Sequence, residues 1–123
     1  MTQTITINGH EIPRFVYNGE PVVTLTMVAM LHGQKYDLVH ENFNRYKECF
    51  RQDKDYFFVP YEEWKELPTE NRGYRGRMLF LTQLGYLRLA RTLSDKPPWD
   101  ICIEMTVLYF ATRTLMESKY ILN

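Results

Sequence analysis

The residues best equipped for chemistry are three histidines, His10, His32 and His40, and two cysteines, Cys49 and Cys102. The histidines stand at no metal-ligand spacing, either with one another or with the cysteines, so no zinc-type site is expected. Each cysteine lies inside an apolar helical pattern with no partner at short spacing, which reads as two buried free thiols in a reducing compartment. The one pair of carboxylates, Glu62 and Glu63, is adjacent in sequence and points different ways on a helix, as a solvated face does. No dinucleotide fingerprint, Walker loop or Gly-x-Ser-x-Gly elbow occurs. Gly73-x-x-Gly76 is too short and too basic for a nucleotide fingerprint; it reads as a flexible turn, or alternatively as a phosphate cradle built from backbone N–H groups. The expectation is a non-enzymatic protein with no cofactor and no metal.

Binding is the better reading of what remains. Lys plus Arg equals Asp plus Glu, so the formal net charge is zero, which argues against holding nucleic acid by bulk charge. The zero hides two opposed segments. Residues 61–71 carry four Glu against one Lys, a net of −3, and residues 72–96 carry five Arg and one Lys against Asp95, a net of +5. A basic, glycine-interrupted loop at 71–77 holds Arg72, Tyr74, Arg75 and Arg77, a mixture suited to phosphate contact and stacking.

The elements that would position these residues follow from periodicity. Thr4-Ile5-Thr6-Ile7 alternates and ends at Asn8-Gly9; Arg14-Phe15-Val16-Tyr17 ends at Asn18-Gly19. Asn-Gly between short apolar stretches is a strong hairpin signal, because both residues tolerate positive φ. Thr24 or Thr26 caps a short helix with Met27, Val28, Met30 and Leu31, which Gly33 breaks. Val39, Phe43, Tyr46 and Phe50 form a stripe at helical spacing over residues 36–50. Tyr56-Phe57-Phe58-Val59 reads as a strand stopped by Pro60, followed by a short acidic helix at 61–67. Met78-Leu79-Phe80-Leu81 reads as another strand, Thr82 as the cap of a helix to about 93, and Pro97-Pro98 as the opening of a last helix to about 116.

A short helix, a break at Gly33-Gln34 and a second helix make a helix-turn-helix candidate. In such motifs the start of the second helix meets base edges, here Gln34, Lys35, Tyr36, His40 and Asn44. Arg45 and Arg51 would reach phosphates, and the loop with Arg72, Tyr74, Arg75 and Arg77 would act as a wing. Against this, Asp37, Glu41 and Glu48 share the exposed face and repel phosphate. The fold expected is α+β: one small domain over residues 1–123 with an N-terminal β-hairpin, a helix-turn-helix-like core, a basic wing-like loop and two C-terminal helices. The last helix is apolar around most of its circumference, with Trp99, Ile103, Val107, Phe110 and Thr114 in one stripe. Such a helix needs cover on a second side, either its own chain or a second subunit in a homodimer.

Three stretches also resemble a known family. Asn18-Gly19-Glu20-Pro21-Val22-Val23-Thr24 through Leu31-His32-Gly33 is similar to the opening of phage antirepressor N-terminal domains of the KilA-N and Bro-N group, in particular the branch named after a phage's sixth open reading frame. Asn42-Phe43-Asn44-Arg45 with Phe50 and Asp55-Tyr56-Phe57 resembles that branch's second helix and following strand. Arg77-Met78-Leu79-Phe80-Leu81-Thr82-Gln83-Leu84-Gly85-Tyr86-Leu87 resembles its strand, Thr cap and glycine-bearing helix. Phage regulatory proteins of the Rha type share the layout. The resemblance covers residues 14–110 and implies a DNA-binding regulator of phage or prophage origin, acting on double-stranded DNA in the cytoplasm of a bacterial host. The alternative is a protein-binding antirepressor module that captures a repressor or host protein without touching DNA. Members of this group often carry a second, C-terminal domain, so this chain is either a minimal member or a fragment. No basic–apolar–small signal peptide opens the chain and its longest apolar run is far short of a span, so no membrane association is expected.

Overall fold

The computed structural model describes residues 3–70, 73–93 and 99–111. The fold is α+β, with a five-stranded antiparallel sheet in the order β1-β2-β3-β5-β4. Strands β1 (Gln3–Ile7), β2 (His10–Tyr17) and β3 (Glu20–Thr24) form two consecutive hairpins. In each, an Asn-Gly pair closes the turn with both residues at positive φ, 49° and 79° at Asn8-Gly9 and 54° and 80° at Asn18-Gly19. That conformation matches the twist of the flanking strands and fixes the registers Ile7 opposite His10 and Tyr17 opposite Glu20.

The chain then leaves the sheet. Thr24 caps α1 (Leu25–His32), its side chain accepting from the Met27 N–H at 3.2 Å. Leu25, Met27, Val28, Ala29 and Leu31 of α1 are all buried, so this helix belongs to the core. Gly33 ends it at φ 63°, a conformation that lets the Gly33 and Gln34 N–H groups close onto the Met30 and Ala29 carbonyls. After a turn, α2 (Tyr36–Arg45) begins.

The stripe expected over residues 36–50 is not one helix. Helix α2 stops at Arg45, and a single 3-10 turn, Lys47–Cys49, follows. Tyr46 is consequently exposed, while Phe50 reaches the core from extended backbone and packs on Phe43 at 5.0 Å. Leaving the helix also swings Cys49 to the surface, so the expectation of two buried thiols holds for Cys102 alone.

Strand β4 (Tyr56–Val59) forms the far edge of the sheet, and Pro60 opens the single turn α3 (Tyr61–Trp64). Only afterwards does β5 (Met78–Leu81) fill the gap between β3 and β4, pairing Val23 with Leu81 and Phe57 with Phe80. Helix α4 (Gln83–Ala90) starts at Thr82, whose Oγ1 accepts from Gly85 N–H at 3.3 Å and donates to the Lys54 carbonyl at 2.8 Å. Helix α5 (Trp99–Glu104) runs into a π-helical stretch, Met105–Phe110. Met105, Tyr109 and Phe110 face the core, and the Tyr109 hydroxyl donates to the Val22 carbonyl of the central strand. Trp64, Tyr86, Tyr109, Phe43 and Phe80 are the largest fully or almost fully buried side chains.

The other side of the last helix is open. Trp99, Ile103 and Val107 are 60%, 58% and 56% exposed, so the described chain does not wrap it. Phe110 leaves the expected stripe for the core, because the π-helical turn shifts the face it presents. Thr114 and the predicted end of this helix lie outside the described residues.

Candidate nucleic-acid interface

The sheet order brings α2 and the basic loop together. Because β5 returns beside β3, the segment entering it passes alongside the helix that follows α1. Tyr36, His40 and Asn44 recur at i, i+4 and i+8, which places them on one face of α2. The Tyr36 and His40 rings lie nearly parallel, 5.8 Å apart at 11°. Together with Phe58, Tyr74 and Arg77 they line a cleft of about 750 Å³, with Leu25 and Thr26 at the start of α1 and Met78 and Leu79 at the start of β5 completing it. Burial first, then the nearby Tyr74 and Asp37, hold the Tyr36 phenol above its ordinary value.

The loop is held in place. Gly73 takes φ 86°, a backbone conformation that favours glycine. Trp64, fully buried, donates its indole N–H to the Gly76 carbonyl at 2.9 Å. The Tyr74 hydroxyl donates to the Arg77 carbonyl at 2.7 Å, and the Tyr74 ring stacks on Trp64 at 6.2 Å and 13°. Two side-chain-to-carbonyl bonds and a stacked ring pair replace the plain flexible turn expected from Gly73-x-x-Gly76. The glycine at 76 is required by this packing, since a methyl there would run into the Tyr74 ring and hydroxyl.

The chain matches the model of the ORF6N domain over residues 13–92. It belongs to the ORF6N domain family. The family resemblance read from the sequence is thereby shown, and this is a phage-type regulatory family related to antirepressor and KilA-N-like proteins. Neither a curated protein nor a solved structure matches the chain. The matched range of the ORF6N domain contains α1, α2, the basic loop and α4, and stops before α5.

Of the residues expected to contact a ligand, the ORF6N domain gathers Tyr36, His40, Asn44, Tyr74 and Arg77 around the cleft. Lys35 is exposed at the start of α2 and outside the lining. Arg45 is exposed and paired with Glu41 at 2.9 Å. Arg75 lies 6.0 Å over the Tyr61 ring, beside the cleft rather than in it. Arg51 is turned toward the buried Asp55 carboxylate at 3.6 Å. Arg72 lies outside the described residues.

Phe58 and Glu70 are among the lining residues that were missed. Phe58 carries Arg77 at 4.8 Å and Lys47 at 5.3 Å over its ring, and Glu70 joins the lining. The period of two in β4 separates Phe58 from Phe57 and Val59, which is a signal for Phe58 alone.

His32 and Cys102, two of the residues suited to metal or nucleophilic chemistry, sit away from the cleft. His32 Nε2 is 2.7 Å from the Tyr86 hydroxyl, which donates to the Cys102 sulfur at 3.9 Å. Burial holds the imidazole below its ordinary value and raises both the phenol and the thiol. A neutral imidazole beside a protonated phenol and thiol is a packing cluster, with no activated nucleophile. Among the described residues no three of His, Cys, Asp or Glu stand close enough to hold a metal ion, and no helix is long and apolar enough to cross a membrane.

Proposed function

We propose that this ORF6N domain is a non-enzymatic DNA-binding regulator of phage or prophage origin, acting on double-stranded DNA in the bacterial cytoplasm. The observation that carries the reading is the convergence of α2 and the basic loop on one cleft. Residues 36, 40 and 44 come from one element and residues 74 and 77 from another, thirty or more positions away. Electrostatics support it. Arg45, Arg51, Lys65 and Arg88 each meet a carboxylate, whereas Arg75 and Arg77 meet ring faces. A guanidinium on a ring keeps N–H donors for a phosphate. The test is a titration of the purified protein against random and genomic duplex fragments at low and moderate salt. Retention that weakens with salt is expected; no retention even at low salt ends this reading.

A second reading is capture of a repressor or host protein without DNA. The exposed row Trp99, Ile103 and Val107 favours it, as does the acidic turn with Glu62 and Glu63. The same row suits a homodimer, in which a second copy covers it.

A further inference from the structure

The walls of the cleft face each other, and that limits what can enter. A helix reading duplex DNA presents its side chains outward into a major groove about 12 Å wide. Here Tyr36, His40 and Asn44 are exposed and line about 750 Å³ together with the basic loop and β5. Spaces of roughly 300–1,000 Å³ take small-molecule-sized groups. A single nucleotide is of that size.

The lining has the parts that a nucleotide needs. Tyr74 lies parallel to the fully buried Trp64 at 6.2 Å, is 51% exposed and lines the cleft, so it offers an aromatic face for stacking. Its hydroxyl bond to the Arg77 carbonyl fixes its tilt. The parallel Tyr36–His40 pair on α2 supplies flat aromatic groups to the same space. Asn44 offers the donor–acceptor amide that matches an adenine edge, and Glu70, the one carboxylate in the lining, can accept from an exocyclic amino group. Arg77, 4.8 Å over the Phe58 ring and meeting no carboxylate among the described residues, has donors for a phosphate.

We infer that the cleft takes one unpaired nucleotide of DNA, its base stacked on Tyr74 and its phosphate held by Arg77. This rests on the DNA-binding reading and specifies what enters the site. Duplex on either side is held at its phosphates, while one base leaves the stack, as proteins that extrude a base require.

The experiment compares two duplexes of one sequence, one fully paired and one with a single-nucleotide bulge of 2-aminopurine. Affinity is read by anisotropy of an end label and stacking by 2-aminopurine fluorescence. The wild type is expected to bind the bulge about tenfold more tightly than the paired duplex, from the stacking of one base on an aromatic ring, and to change the 2-aminopurine emission. Tyr74→Leu is expected to reduce the bulge-to-duplex ratio to near one, and Tyr74→Phe to keep it. Gly76→Ala, whose methyl displaces the Tyr74 ring from Trp64, is expected to lower it with every ring of the site still present. Equal affinity for bulge and duplex overturns the nucleotide site and leaves DNA binding standing. So does a bulge preference that Tyr74→Leu and Gly76→Ala leave intact. Failure to bind either probe overturns the DNA-binding reading itself, and the nucleotide site with it.

Discussion

Asp55 shows how much of this structure depends on single residues. Its side chain is fully buried, with Oδ2 accepting from the Arg51 N–H at 2.8 Å and lying 3.4 Å and 3.6 Å from the Arg88 and Arg51 guanidinium groups. Its carbonyl accepts from the Thr82 N–H at 3.0 Å. Gly85, on the first turn of α4, lies so close to that carbonyl that any Cβ would overlap it. Backbone cannot move aside as a flexible side chain can, so Gly85→Ala is expected to destabilise the domain by about 3 kcal/mol, the upper end for overpacking. Urea unfolding would measure it; an unchanged midpoint would show that the contact is not needed. The turn glycines and the Thr24 and Thr82 caps were legible in the sequence, because their causes lie within three residues of them. The need for Gly85 was not, since its reason sits thirty positions away at Asp55. Cys49 was misread for a related cause: its apolar neighbours imply a helix that ends before reaching it.

Helix α2 and the loop at 73–77 carry the binding account at the scale of elements. The 3.6-residue period located the helix well but ran five residues past its end, because the buried Phe50 fits the stripe without belonging to the helix. Composition marked the loop as basic and aromatic, yet could not reveal that Trp64 and Tyr74 tie it down through two carbonyls. The two elements should also differ in what they do to DNA. Asn44 and His40 face the cleft, and changes there are expected to alter sequence preference by about 1–3 kcal/mol per good contact. Selection of bound fragments from a random pool would show the shift in Asn44→Ala. An unchanged consensus would remove α2 from base recognition.

The α+β class was legible for the molecule as a whole, from two Asn-Gly hairpins followed by helical periods. The strand order was not. Nothing local in Met78-Leu79-Phe80-Leu81 says that β5 inserts between β3 and β4, and that insertion is what sets the basic loop against α2. The open row of Trp99, Ile103 and Val107, spaced by four, is an exposed apolar row of the kind that two copies cover about a two-fold axis. Sedimentation at high micromolar concentration is expected to show a dimer that Ile103→Asp dissociates, and a wild-type monomer there rejects it.

The most direct test of the binding account is the salt dependence of duplex affinity, measured for the wild type and for Arg75→Ala with Arg77→Ala. Each phosphate contact to duplex DNA contributes a slope of about −0.9 in log K against log salt. Arg75 and Arg77, which lie over the Tyr61 and Phe58 rings with no carboxylate partner among the described residues, should supply two of those contacts. The double variant is expected to bind all sequences more weakly and to flatten the slope by roughly 1.8. A slope and affinity equal to those of the wild type would contradict the account.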